Sequence, residues 1–435
     1  MWEIPRRTFD VLSPFHGEAY QTDEDQIERM SRILLIIPTL SYRASDFLTA
    51  AYKLGVEVIV ASDQRQTLED IVPGYTLTLD FQNLPESVDK VVSFAKDRPL
   101  DAIVSTDEDA VILSVMISEA LGLPHNPISA TEATRYKDRL RKILTEANIP
   151  TPTATCFSVA DPPPNVTYPC ILKPIHLSAS RGVIRANTPE EFKDGFSRIT
   201  KILADPEVKR QGKDAAQKIL VESFIAGEEC ALEGLLQNGK LTVLALFDKP
   251  DPLNGPFFEE TIYVTPSRLS QAVQEKIATC TEQACTAIGL KEGPVHAELR
   301  VNNNGPFIIE IAARSIGGIC SRTLTFGLGV SLEEIILRHA LKLPIDSLQR
   351  QQGASGVMMI PIPHAGILAD VEGVEEAKKI AGIEGVTIMI RRKQKVVPLP
   401  EGKKYLGFIF ARGESPSDVK EALRKAHCAL KFTIV

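Results

Sequence analysis

The chain is poor in the features that assign a function quickly. It has one tryptophan, 6% aromatic residues and only seven cysteines in 435 residues. Those cysteines, at 156, 170, 230, 280, 285, 320 and 428, are odd in number and include no CxxC pair. A zinc ribbon and a disulfide framework are therefore not expected, and most of the thiols should be reduced, buried small hydrophobes. Long apolar runs are also missing: the longest aliphatic stretch, Ile33 to Ile37, stops at Pro38, far short of the roughly 20 residues of a membrane span. The opening MWEIPRRTFD lacks the apolar core and cleavage site of a secretory signal, so a cytoplasmic location is expected. There is no basic excess. Lys plus Arg number 49 against 56 Asp plus Glu, a formal charge of -7, which argues against a general nucleic-acid binder.

What is present is ordinary globular composition, 44% hydrophobic and 24% charged, in a chain long enough for two or three domains at roughly 150 residues each. Up to about Pro124, strands and helices alternate. RILLIIPTL, VEVIVASD and DAIVSTDED read as buried strands, with helices at SDFLTAAYKLG, ESVDKVVSFAKD and AVILSVMISEALGLP. Such alternation predicts an open parallel sheet, whose strand tips, Pro38 to Ser45 and Thr106 to Asp109, are where ligands of such sheets bind. No GxGxxG follows the first strand, which weakens a dinucleotide reading. TEATRYKDRLRKILTEANIPTP then predicts one basic helix, followed by the α+β texture of CILKP, GVIRAN, KILVESF, CALEGLL and LTVLALF. Thr188-Pro189-Glu190-Glu191 and Ser331-Leu332-Glu333-Glu334 predict capped helix starts, and DPEVKRQGKDAAQ a loop or solvated helix. From Gly353 a last unit of strands ends in the helix SPSDVKEALRKAH.

Gly234 to Lys240 has the GxxxxGK spacing of a phosphate loop, but Leu241 stands where Ser or Thr is needed. Asn238-Gly239 between two strand patterns predicts a tight hairpin instead. PVHAELRVNNNGPFIIEIAARSIGG is more informative. If Asn303-Asn304-Gly305 is a three-residue turn with Gly305 left-handed, Glu298 falls opposite Glu310. Like charges so placed repel, a conflict that a magnesium ion between them resolves; on a solvated edge hairpin the same two acids simply point to water. Arg314 follows, either facing a phosphoryl or acyl oxygen or closing a salt bridge within the hairpin. Upstream, Lys173 ends an apolar strand before the small-residue loop His176 to Gly182, an arrangement suited to polyphosphate and equally to a plain surface loop. Glu222 to Ile225 followed by Gly227-Glu228-Glu229 can read an adenine edge and ribose hydroxyls, or form a solvated turn.

Taken together, Lys137, Lys173, Glu222 with its Gly-Glu-Glu, and the E…E-x-x-x-R hairpin resemble the ATP-grasp superfamily of carboxylate–amine ligases from about Ile33 to the C-terminus. ILKP, VESFIAGEE and HAELRVNNNGPFIIEIAARSIGG carry the resemblance. FIIEIAAR-x-x-GG, with Phe247-Asp-Lys-Pro and Gly353-Ala-Ser-Gly356, is most similar to the branch of L-amino-acid ligases and carnosine-synthase-like enzymes. The loop HLSASRG is poorer in glycine than the family's usual form, and Ala312 stands where many members have Asn.

The resemblance implies an ATP-grasp fold, a multidomain α/β and α+β architecture. Residues 1–125 would form the N-terminal open parallel α/β (pre-ATP-grasp) domain and 126–235 the small lobe with its linking helix. Residues 236–350 would form the large lobe with the metal site, and 351–435 a C-terminal α+β unit. It implies ATP with Mg2+, for which Mn2+ can substitute. Lys137, Lys173, Ser178, Ser180 and Gly182 would hold phosphates, Glu222, Ser223, Phe224 and Ile225 the adenine, Glu229 the ribose, and Glu298 and Glu310 the metal. Arg314 and Lys173 would act in catalysis. Glu260, His296, Arg314, Gly317 and Gly318 would border the substrates, although His296 is as readily a structural histidine and Glu260 a solvated acid.

The activity implied is ADP-forming ligation of a small carboxylate, such as an amino acid's, to an amine, with small-molecule partners, no nucleic acid or membrane, and a homodimer as the family's frequent state. A purine-pathway or biotin-carboxylase-like enzyme using formate or bicarbonate is the alternative within the fold, and a non-catalytic ATP-binding regulator the alternative outside enzymes.

Overall fold

The computed structural model describes residues 30–66, 74–160 and 165–435; the opening MWEIPRRTFD lies outside them. A parallel sheet runs in the order Thr76–Thr78, Glu57–Ser62, Arg32–Ile36, Ala102–Ser105. Its central strand reads as a continuous apolar run because both faces are covered. Ile33 and Leu35 join the cluster of Phe47, while Leu34 and Ile36 join that of Ile59 and Val91. The three-residue strand Thr76–Thr78 is too short to leave a period in the sequence and was not anticipated.

The single basic helix expected after this domain is two, Ile128–Arg135 and Lys137–Glu146. Tyr136 between them is extended, at φ -107° and ψ 108°. The break frees the Lys137 N–H to donate to Ile175 O at 2.9 Å, while Lys137 Nζ donates to Leu177 O at 2.8 Å. A second sheet follows, ordered Ala154–Ser158, Lys218–Ser223, Cys170–Pro174, Ile184–Ala186. The helix Pro189–Leu203 covers it, capped by the Thr188 hydroxyl, which accepts from the Glu191 N–H.

The largest sheet has eight strands: Gly305–Ala312, Gly293–Asn302, Glu228–Gln237, Lys240–Asp248, Ile262–Thr265, Ala354–Ile360, Gly407–Gly413 and Ile383–Ile388. It runs across both divisions expected within it, at 235/236 and 350/351. Gln237 pairs with Lys240 around Asn238 and Gly239, both left-handed at φ 52° and 81°, so the phosphate-loop look-alike is a hairpin. The other hairpin reaches the expected facing of Glu298 and Glu310 by a different route. Asn302 pairs with Gly305, so the turn is one residue shorter than expected, and a bulge between Leu299 and Glu298 restores the register.

In the small lobe His176 is 2% exposed and neither ring nitrogen makes a well-formed hydrogen bond. Gly212 packs so closely that a Cβ there would come within 2.4 Å of Nε2. Burial, with Arg135 and Lys137 nearby, pushes the imidazole down to about 4. An unfolded histidine takes its proton near 6.5, so stability is complete above that pH and is lost as pH falls toward 4. The slope is worth at most about 3 kcal/mol. His176→Gln should flatten it, measured as urea midpoints at pH 7 and pH 4.5.

Candidate functional site

The cleft between the small-lobe sheet and the first strands of the large sheet is lined by Lys137, Lys173, Glu222, Glu229, Glu298 and Glu310, among others. Its floor is a buried ion cluster. Lys173, placed by the apolar strand Cys170–Pro174, lies 2.6 Å from Glu222, and Arg141 Nε lies 2.7 Å from the other oxygen of the same carboxylate. Burial lowers Lys173 to about 8 against the pull of Glu222. Burial also opposes charge on Glu222, but the two cations outweigh it and hold the acid below its usual range. Glu222 is thus a counter-ion for two cations. Beside it Ser223, Phe224 and Ile225 all line the cleft.

A second cluster surrounds Lys249, which was missed as a site residue. Its ammonium is 2.9 Å from Glu229 and 3.2 Å from Glu298, and it pairs with Glu260 as well. Oxygens of these three carboxylates lie within 4.8 Å of one another, the one group among the described residues with spacing suited to a cation. Burial and Glu298 raise Glu260 to about 7, whereas Lys249 and His296 keep Glu298 ionised despite its burial. Glu310, across the hairpin from Glu298, meets Lys137 Nζ at 3.5 Å. Hard oxygen donors in a cleft of lysines suit magnesium with phosphate, so the residues fit the ion that the fold implies.

The loop between the strands Lys240–Asp248 and Ile262–Thr265 forms a strap over the cleft. Leu253 and Phe258 line the cavity. At its tip the Arg185 N–H donates to Pro256 O at 2.9 Å, Arg185 Nη1 donates to Asn254 O at 2.7 Å, and Ile184 bridges Phe257. The strap therefore belongs to the large lobe by sequence and pairs with the small lobe's edge strand. At its base Arg300 donates to Leu253 O and stands 3.0 Å from Glu229.

Three family models match the chain: the ATP-grasp N-terminal domain over residues 48–125, the ATP-grasp domain over 166–323, and the L-amino acid ligase C-terminal domain 2 over 358–435. The chain belongs to the ATP-grasp superfamily. Among its relatives is the alanine–anticapsin ligase of Bacillus subtilis, 26% identical over 308 residues, which cover 66% of this chain and 64% of that one. Carnosine synthase 1 of Mus musculus is 24% identical over 63% of this chain and 35% of its own. The alignments thus span less than two thirds of these relatives. The crystal structure of an L-amino acid ligase from Bacillus licheniformis superposes with a TM-score of 0.79 at 24% identity, covering 94% of this chain and all of that one. The phosphoribosylglycinamide synthetase of Anaerococcus prevotii reaches 0.66 at 17%, over 93% of this chain and all of that one.

Within this ATP-grasp chain the cleft brings together Lys137, Lys173, Ser178, Ser180, Glu222, Ser223, Phe224, Ile225, Glu229, Glu260, Glu298 and Glu310. Other expected residues lie elsewhere. Gly182 closes the small-residue loop but turns its N–H to Pro400 O at 2.8 Å, and a Cβ there would strike Pro174. His296 stands behind Glu298, with Nε2 at 3.4 Å from its carboxylate. Arg314 borders the separate cavity between the N-terminal domain and the large lobe, its Nε 2.7 Å from Glu108 at the end of the parallel sheet. The partner of its salt bridge is therefore in another domain. Gly318 packs under the Phe408 ring, while space around Gly317 is open. Arg141, Lys249, Glu233 and Arg300 were not singled out. Arg141, Glu233 and Arg300 are charged residues within an apolar or helical pattern, and Lys249 stands just past a strand end in Phe247-Asp-Lys-Pro.

Proposed function

We propose that the protein is an ATP-dependent, ADP-forming ligase that joins an amino-acid carboxylate to an amine, making a dipeptide or amino-acid amide. The observation that carries this reading is the single cleft in which Lys137 and Lys173 converge with Glu298 and Glu310, cations and charged carboxylates placed for a nucleotide's phosphates. The similarity to the alanine–anticapsin ligase and to carnosine synthase favours amino acids over formate or bicarbonate. The order of N-terminal domain, two lobes and C-terminal unit is kept, but the bounds 235/236 and 350/351 are not, since Glu228–Gln237 and Ala354–Ile360 both belong to the large sheet.

In this reading Lys137, Lys173, Ser178 and Ser180 hold the phosphates, Ser223 to Ile225 border the adenine, and Glu229 faces the ribose. Glu298 and Glu310 would hold magnesium, which when bound supplies charge neutralisation at the phosphates. A carboxylate oxygen attacks the γ-phosphorus as the bond to ADP breaks, giving an acyl phosphate. The amine nitrogen then attacks the acyl carbon, phosphate leaves, and the amine gives up its proton. Positioning and charge stabilisation are the whole demand, so no nucleophilic side chain is needed. Arg314, paired with Glu108 at the neighbouring cavity and close enough to Glu310 to feel its charge, is the fixed cation we assign to the acyl oxygen, which puts the acyl group on that side of Glu310; Glu260 and Gly317 border the substrates.

The test is to incubate the protein with ATP, magnesium and pools of amino acids and amines, then measure nucleotide products, phosphate and product mass. Equal ADP and phosphate, with a product lighter by one water than its two components, is expected. AMP and pyrophosphate would overturn the acyl-phosphate route.

A further inference from the structure

Behind the cleft, Glu233 and His296 face each other on the neighbouring strands Glu228–Gln237 and Gly293–Asn302. Glu233 is fully buried and His296 is 6% exposed. One Glu233 oxygen holds His296 Nδ1; the other accepts the Ile316 N–H at 3.1 Å. The far nitrogen of His296 reaches Glu298 at 3.4 Å. A continuous line thus runs from the carboxylate of Glu298 through the imidazole and Glu233 to the backbone just past Arg314. The same segment is held from the other side by Arg43, which donates to the Ser315 hydroxyl at 2.8 Å.

We infer that Glu233 and His296 are positioning residues, a brace that fixes the metal-binding carboxylate of Glu298 against the Arg314–Gly318 segment. The inference rests on the ligase reading for what the brace serves. A buried charged pair is a costly way to fill a core, since apolar side chains of the same volume are often as stable there. Packing alone also does not ask one carboxylate to bind two segments separated in sequence by the whole hairpin. Partners behind a metal ligand typically change affinity or activity by 10- to 100-fold when removed, because they hold the ligand's orientation.

The test uses the full chain with Glu233→Gln and His296→Gln. Glutamine at 233 can still accept from the Ile316 N–H but carries no charge toward the imidazole; glutamine at 296 can satisfy Glu233 or Glu298, not both. Expected are a fall in kcat of about 10- to 100-fold, a rise of about 10-fold in the magnesium concentration giving half-maximal rate, and an ATP KM within about twofold. Mn2+ affinity, titrated by electron paramagnetic resonance with a non-hydrolysable ATP analogue, should weaken in parallel. Variants with a lowered thermal midpoint but unchanged kcat, magnesium dependence and Mn2+ affinity would show a purely structural pair and overturn the brace. If Glu233→Gln does not fold, His296→Gln decides alone. Should the unmodified protein release no ADP, the ligase reading fails, and the Mn2+ titration still decides whether the brace holds Glu298.

Discussion

Glu310→Ala is expected to cut ADP formation by on the order of 100- to 1000-fold, the usual cost of removing one charge-stabilising group from a phosphoryl or acyl transfer site. The fold should survive. Among the described residues Glu310 has a single ion-pair partner, Lys137 at 3.5 Å, and its side chain is 27% exposed, a setting in which a pair contributes about 1 kcal/mol or less. Nucleotide affinity should fall far less than rate, because Lys173 and the Ser223–Ile225 segment are untouched. A coupled ADP assay with a thermal melt separates the two effects, and undiminished turnover would remove Glu310 from the metal site.

Lys249→Met should do the reverse and strike stability first. Glu229, Glu260 and Glu298 would face one another without the ammonium that now lies among them; among the described residues Arg300 is left beside Glu229 and His296 beside Glu298. Removing one partner from a buried ionic cluster costs about 3 to 5 kcal/mol. A divalent cation is the natural substitute for the lost charge, so magnesium should raise the variant's thermal midpoint more than that of the parent. Equal shifts in both proteins would mean that the three acids relax apart rather than await a cation.

The parallel sheet, the capped helices and the facing of Glu298 and Glu310 were legible in the sequence because each rests on short-range rules: period, cap chemistry and antiparallel pairing. The hairpin shows how local error can cancel. The turn is shorter than Asn303-Asn304-Gly305 suggested, and the bulge returns the one residue that the turn lacks. The split at Tyr136 was not legible, since its cause is a bond to Ile175 in another segment. Arg141, Lys249 and Glu233 escaped for the same reason. Nothing near them in sequence signals a partner, and each acquires its role from a strand or helix far along the chain. The two buried cations that Glu222 meets in the cleft were not legible either, because a strand-end acid looks alike whether it faces a ligand or buried cations.

The eight-stranded sheet limits how this chain can be recombined with its relatives. Family models leave a gap between residues 323 and 358, which looks like a place to cut, yet Ile262–Thr265 is hydrogen-bonded to Ala354–Ile360 across it. Gly356 lies so close to the Tyr263 carbonyl that an added Cβ would come within 2.7 Å. A chimaera joined in that gap must bring a strand of matching register with a glycine at this place, or it leaves the strap's own return strand as a bare edge. Inheritance of the last eighty or so residues is thus tied to the loop that roofs the cleft.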